Sequence, residues 1–207
     1  MDNIYISVTR TFFKELTEKE SLKIVSDQKG KCKFCNTDIN KFWKVHALSD
    51  TDHIALCTIC YKSQHLEELD SEKDGSIIMI KDLNQIELID LSRTIELVKR
   101  LDVEKFSEDI DLSIVIRSLL EEGANNSDLY YAAESSDISL ISQILTNLTD
   151  EDYEKRSDGL YTMKWLPNYD SFKDEIDYLY DKIMKDEKSK YHPSKWESMF
   201  QKFNNKN

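Results

Sequence analysis

All four cysteines of the chain fall inside one stretch, KCKFCNTDINKFWKVHALSDTDHIALCTIC, which runs from Lys31 to Cys60. They form two pairs, Cys32 with Cys35 and Cys57 with Cys60, in the spacing C-x2-C-x21-C-x2-C. Each C-x-x-C makes a tight knuckle that presents two thiolates to one ion, and two knuckles complete a tetrahedron. A chain that closes such a site must fold around it. A four-thiolate set leaves no open position for water or substrate, so the expected ion is structural Zn²⁺ and its binding energy is folding energy. Four thiolates suit iron as well, and the spacing does not separate the two. Lys31 and Lys33 flank the first knuckle and are expected to offset the thiolate charge.

Paired cysteines read as metal ligands where thiols stay reduced. The opening MDNIYISVTRTFFKEL lacks the basic-then-apolar pattern of a signal peptide, and no run of about 18 apolar residues is present. The expected location is the cytoplasm. Of 207 residues, 40% are hydrophobic and 33% charged, with only two prolines and four glycines, which favours helices over long linkers. The net charge of −12 argues against a nucleic-acid surface and for a basic or apolar partner.

The alternation in Asn3–Val8 predicts a strand, and Phe42–Leu48 a second. His53–Leu56 leads into the second knuckle, and Tyr61–Leu69 reads as a helix. Thr17 with Glu20 makes a capping box for a helix to Ser26. Ser76–Ile80 reads as a buried strand after Asp74-Gly75, and Asn84 with Glu87 opens a helix from Gln85 to Arg100. Further helices are expected at Ser107–Glu122, Ser127–Glu134, Asp137–Asn147, Thr149–Arg156, Ser171–Glu187 and Ser194–Phe203, with a turn at Ser157–Gly159. Leu119–Leu145 has the look of one ankyrin repeat, but no second copy follows, and one repeat cannot bury its own face. The expected class is α+β: a small zinc-knuckle ββα core with a short N-terminal strand, then a mainly helical part. Residues 1–80 form the zinc-binding region and 81–207 the helical region packed on it, as one unit.

Strand, loop, knuckle and helix in this order resemble the zinc-knuckle HNH endonucleases. In that family the strand between the knuckles ends in a cation-binding residue followed by a general base. His46 falls at the first position, but Ala47 falls at the base, Asp52 where an Asn is expected, and Tyr61 where a further His is expected. Alanine cannot take a proton from water. The resemblance therefore implies the fold and speaks against the activity.

A second resemblance covers about Gly30 to Tyr180. KCKFC, LCTIC, GSIIMIKDLNQIELIDL and WLPNYDSFKDEI follow the order of motifs of the IcmJ/DotN family, components of the bacterial type IVB secretion apparatus. The segment before Cys32 is shorter than is usual there, and the tail after Asp186 longer. The resemblance implies an HNH-like fold without nuclease activity and a zinc site at Cys32, Cys35, Cys57 and Cys60. It also implies an adaptor at the cytoplasmic face of the inner membrane, bound to the coupling ATPase alongside small acidic chaperones. No Walker motif marks this chain as the ATPase itself. Two readings compete with a non-catalytic adaptor: an HNH-type nuclease of a phage or restriction system, using His46 with His53 or His65, and a small transcription or phage-associated zinc protein that binds DNA.

Overall fold

The computed structural model describes residues 5–10, 13, 16–39, 41–81, 83–100, 137–156, 160–183, 185–188, 192 and 195. Helix α1 (Glu18–Asp27) opens on the expected capping box. Thr17 Oγ1 accepts from the Glu20 amide at 3.3 Å, and Glu20 Oε2 accepts from the Thr17 amide at 2.8 Å. Lys29 and Gly30 then take left-handed φ values of 57° and 65°, which turns the chain sharply into the first cysteine loop.

Strands β1 (Trp43–Ala47) and β2 (His53–Cys57) form an antiparallel hairpin, with Trp43 opposite Cys57 and Ala47 opposite His53. Helix α2 (Thr58–Ser63) follows directly. It starts three residues before the expected Tyr61 because Cys57 is its N-cap, and it stops at Gln64. A separate 3-10 turn at Leu66–Glu68 takes up the rest of the predicted helix.

The N-terminal strand is a correction. Of the expected Asn3–Val8, only residues 5–8 are described; Ile6, Ser7 and Val8 are buried, but these residues carry no strand. Their partner is the end of α2: the Ser7 amide donates to Ser63 O at 3.1 Å and the Leu66 amide to Ser7 O at 3.1 Å. An apolar alternating segment can be buried by a helix end as well as by a sheet, and the pattern alone does not distinguish them.

Strand β3 (Gly75–Met79) pairs antiparallel with β4 (Met163–Pro167), Ile77 opposite Trp165. Gly75 has φ +130°, and a Cβ there would lie 2.1 Å from Leu166 O, so only glycine fits. This sheet joins the two sides of the boundary at residue 80. Helix α3 (Gln85–Val98) starts on its predicted capping box, with Asn84 Oδ1 accepting from the amides of Ile86 and Glu87, both at 2.9 Å. It packs against β4.

Helices α4 (Ile138–Asn147) and α5 (Asp150–Glu154) begin at Asp137 and Thr149, whose side chains cap them. A 3-10 turn at Tyr169–Phe172 leads into α6 (Lys173–Ile183), shorter than the expected Ser171–Glu187. Helices and two small antiparallel sheets share one core, an α+β arrangement. The expected elements at Ser107–Glu122 and Ser127–Glu134 and the turn at Ser157–Gly159 lie outside the described residues, as does Ser194–Phe203 except for Lys195.

Candidate metal centre

Cys32 and Cys35 sit on the loop between α1 and β1. Asn36, at φ 57°, reverses that loop so that the Cys32 amide donates to Thr37 O at 2.8 Å and the Asn36 amide to Cys32 O at 2.9 Å. Cys57 ends β2, and Cys60 lies one turn into α2. The Cys60 amide donates to Cys57 Sγ at 3.4 Å, so one sulfur both belongs to the cluster and caps the helix. The hairpin carries this knuckle to the first: the Lys33 amide donates to Ala55 O at 3.1 Å.

All four cysteines are buried, and their sulfurs lie within 4.8 Å of one another. Cys35 Sγ and Cys57 Sγ are 3.7 Å apart, too far for a disulfide. Sulfurs bound to one zinc ion at about 2.3 Å in a tetrahedron stand about 3.8 Å apart. The four predicted ligands are thus together and could hold a metal ion. Among the described residues no other set of three or more His, Cys, Asp or Glu is placed to share one.

The cation at the sulfurs is not the one expected. Lys31 and Lys33 are exposed. Arg93, on α3 and fully buried, reaches the centre instead. Its Nη1 donates to Cys35 Sγ at 3.4 Å and to Thr37 Oγ1 at 3.0 Å, and its Nη2 donates to Cys57 Sγ at 3.4 Å. Asp90 Oδ1 and the buried Glu175 Oε1, on α6, each lie 3.9 Å from the guanidinium. Burial pushes the Glu175 carboxyl up to about 7, an effect the Arg93 charge partly offsets. At Cys35 burial opposes the thiolate. Hydrogen bonds from the other three cysteines and the Arg93 charge nevertheless hold Cys35 well below its ordinary value, while Cys57 and Cys60 are pushed well above theirs.

Beside this centre, a cleft of about 980 Å³ opens between the hairpin and the N-terminal segment, lined in part by His46, Ala47, His53, Tyr61, His65 and Glu67. His46 Nδ1 and His65 Nε2 are 2.9 Å apart. The far nitrogen of His65 meets Thr9 Oγ1 at 2.6 Å and Glu67 Oε1 at 3.3 Å, and Tyr61 stacks on the ring at 3.8 Å. Burial, with the His65 ring beside it, lowers His46 to about 4. His53, opposite Ala47, has its buried Nε2 without a hydrogen-bond partner among the described residues. The histidines thus line one cleft together with Ala47, and Tyr61 serves as a platform for His65. The Tyr61 hydroxyl donates to Glu68 Oε1 at 2.9 Å and is pushed up by burial and by that carboxylate, so it is no base at neutral pH.

Neither protein-family models nor curated proteins give a match to this sequence.

Arg93, Thr37 and Glu175 were not among the residues predicted from sequence. A lone arginine on a helix reads as a surface residue. The available signal was its place on the apolar face of α3, four residues after Ile89 and four before Leu97.

Proposed function

We propose that this chain is a zinc-stabilised, non-catalytic adaptor of a type IVB-like secretion complex. It binds the coupling ATPase in company with small acidic chaperones and helps deliver protein substrates. The observation that carries the reading is where the stretches resembling the IcmJ/DotN family meet. The two knuckles gather four sulfurs, α3 of the NQIEL stretch brings Arg93 to them, and Gln85 of the same stretch is bonded to the WLP strand. Motifs far apart in sequence thus form one packed unit around the cysteines. The acidic surface and Ala47 at the base position agree with a binding role.

Zinc is the proposed ion, with Cys32, Cys35, Cys57 and Cys60 as ligands. The protein would work in the cytoplasm, at the inner membrane only through its partner. No helix among the described residues is long and apolar enough to cross a membrane. The test is capture of the tagged protein from its own cells with identification of what it carries. A secretion ATPase with acidic chaperones, lost in Cys57→Ser, is the expected result; a stable protein that binds no such ATPase overturns the reading.

One observation favours a second reading. His46 and His65 converge to 2.9 Å in an open cleft that also holds His53. Under an HNH-type nuclease reading, these rings would serve a catalytic cation. Metal-dependent nicking of plasmid DNA, abolished in His46→Ala, is its signature.

A further inference from the structure

We propose that Arg93 is a built-in counter-cation of the metal centre, and that it sets how tightly the ion is held. The inference rests on the metal reading of the four cysteines.

A divalent ion and four thiolates sum to a charge of −2 in a site with no access to water, and a buried uncompensated charge is costly. Arg93 brings a permanent positive charge to that site, since guanidinium does not lose its proton in proteins. Its planar fork takes one sulfur from each knuckle, Cys35 through Nη1 and Cys57 through Nη2, both at 3.4 Å. It therefore spans the two halves of the ligand set. Thr37 Oγ1 fixes the fork from the first loop at 3.0 Å. The pairs to Asp90 and Glu175 are longer, at 3.9 Å each, so the guanidinium sits closer to the sulfurs than to those carboxylates. N–H donors on ligand sulfurs withdraw electron density and stabilise the thiolate form. Because Arg93 belongs to α3, the same contact ties the helix to the occupied centre.

The test compares full-length wild type with Arg93→Met, Arg93→Lys and Asn84→Ala. The last weakens the start of α3 without touching the sulfurs. Zinc affinity is measured by competition with a chelating dye, and the sulfur-to-cobalt charge-transfer band is recorded on the Co²⁺ form. Arg93→Met is expected to weaken zinc binding about 10- to 100-fold, the range for loss of a group that supports metal ligands. Its cobalt band should move to longer wavelength, as sulfurs without N–H donors become better electron donors. Arg93→Lys should fall between, and Asn84→Ala should keep the wild-type band and lose no more than about fivefold in affinity through its weaker helix. Wild-type affinity and an unshifted band in Arg93→Met would reduce Arg93 to a packing residue and overturn the proposal. If Arg93→Met does not accumulate, Arg93→Leu, which likewise removes the charge and the N–H donors, decides in the same way. A wild-type protein that takes up neither zinc nor cobalt overturns the metal reading itself, a separate failure.

Discussion

Gln85 shows how much a single side chain carries here. Its Nε2 donates to Trp165 O at 2.8 Å, and its Oε1 accepts from the Trp165 amide at 2.9 Å. The carboxamide thus stands where a third strand's peptide group would, on the edge of β4 turned away from β3. It covers an edge that would otherwise invite pairing with another chain. Replacing it with leucine leaves a buried N–H and a buried C=O without partners, at roughly 1–3 kcal/mol for each. Gln85→Leu should therefore lose roughly 2–6 kcal/mol in urea unfolding, whereas an exposed substitution such as Lys19→Gln should lose almost nothing. Wild-type stability for Gln85→Leu would mean that the clamp contributes little. At this scale the sequence disclosed the cysteines, because two C-x-x-C pairs carry their partner's identity in their own spacing. It did not disclose Gln85 or Arg93, whose partners lie elsewhere in the chain and leave no local mark.

Elements were legible where their signals are local. Both capping boxes formed as read, Thr17 with Glu20 and Asn84 with Glu87, because a cap and its partner lie three residues apart. The Asn84 side chain takes two otherwise orphaned amides at the start of α3. Asn84→Ala should cost about 1 kcal/mol, read as a fall in thermal midpoint of the metal-loaded protein. No change would imply that tertiary packing alone fixes where α3 begins. Strand β4 was not legible. Met163–Pro167 is buried along its whole length and ends in proline, so it lacks the alternation of a half-exposed strand. Its partner β3 lies almost ninety residues earlier. The segment at residues 5–10 failed in the opposite direction, since it has the pattern of a strand but packs on a helix end. The break of α2 at Gln64 also had a cause outside periodicity: Cys57 fixes its start, and the His65 ring is held by Thr9 and His46.

At the scale of the molecule, the histidine cleft fastens the N-terminal segment to the rest. Thr9 meets His65 and Glu67, Ser7 Oγ and Tyr153 OH are 2.6 Å apart, and Arg10 donates to Leu148 O at 2.7 Å. These contacts link the hairpin to α4 and α5 and give the cleft a pH dependence whose sign can be worked out. His46 is lowered to about 4 by burial and by His65. Between its ordinary value near 6.5 and about 4, the unfolded chain binds a proton that the folded one refuses, so stability falls as pH falls through that window. Glu67, held at about 2 against the cost of its burial by hydrogen bonds from His65 and Thr9, acts in the same direction below about 4.5. Glu175 opposes them. Raised to about 7, it takes up a proton on folding between its ordinary value and 7, and so adds stability as pH falls there. Between pH 7 and pH 5 the His46 and Glu175 effects therefore oppose each other, and a variant isolates the first. His46→Gln should lose about 1 kcal/mol less than wild type on going from pH 7 to pH 5, after allowance for solvent screening of a half-buried ring. Acid also protonates the thiolates and releases metal, but alike in wild type and His46→Gln, so the difference between those two survives it. Parallel profiles for wild type and His46→Gln, measured by urea unfolding at the two pH values, would show that the folded protein lets His46 protonate freely. The cleft would then be open enough to water for His46 and His65 to part without cost.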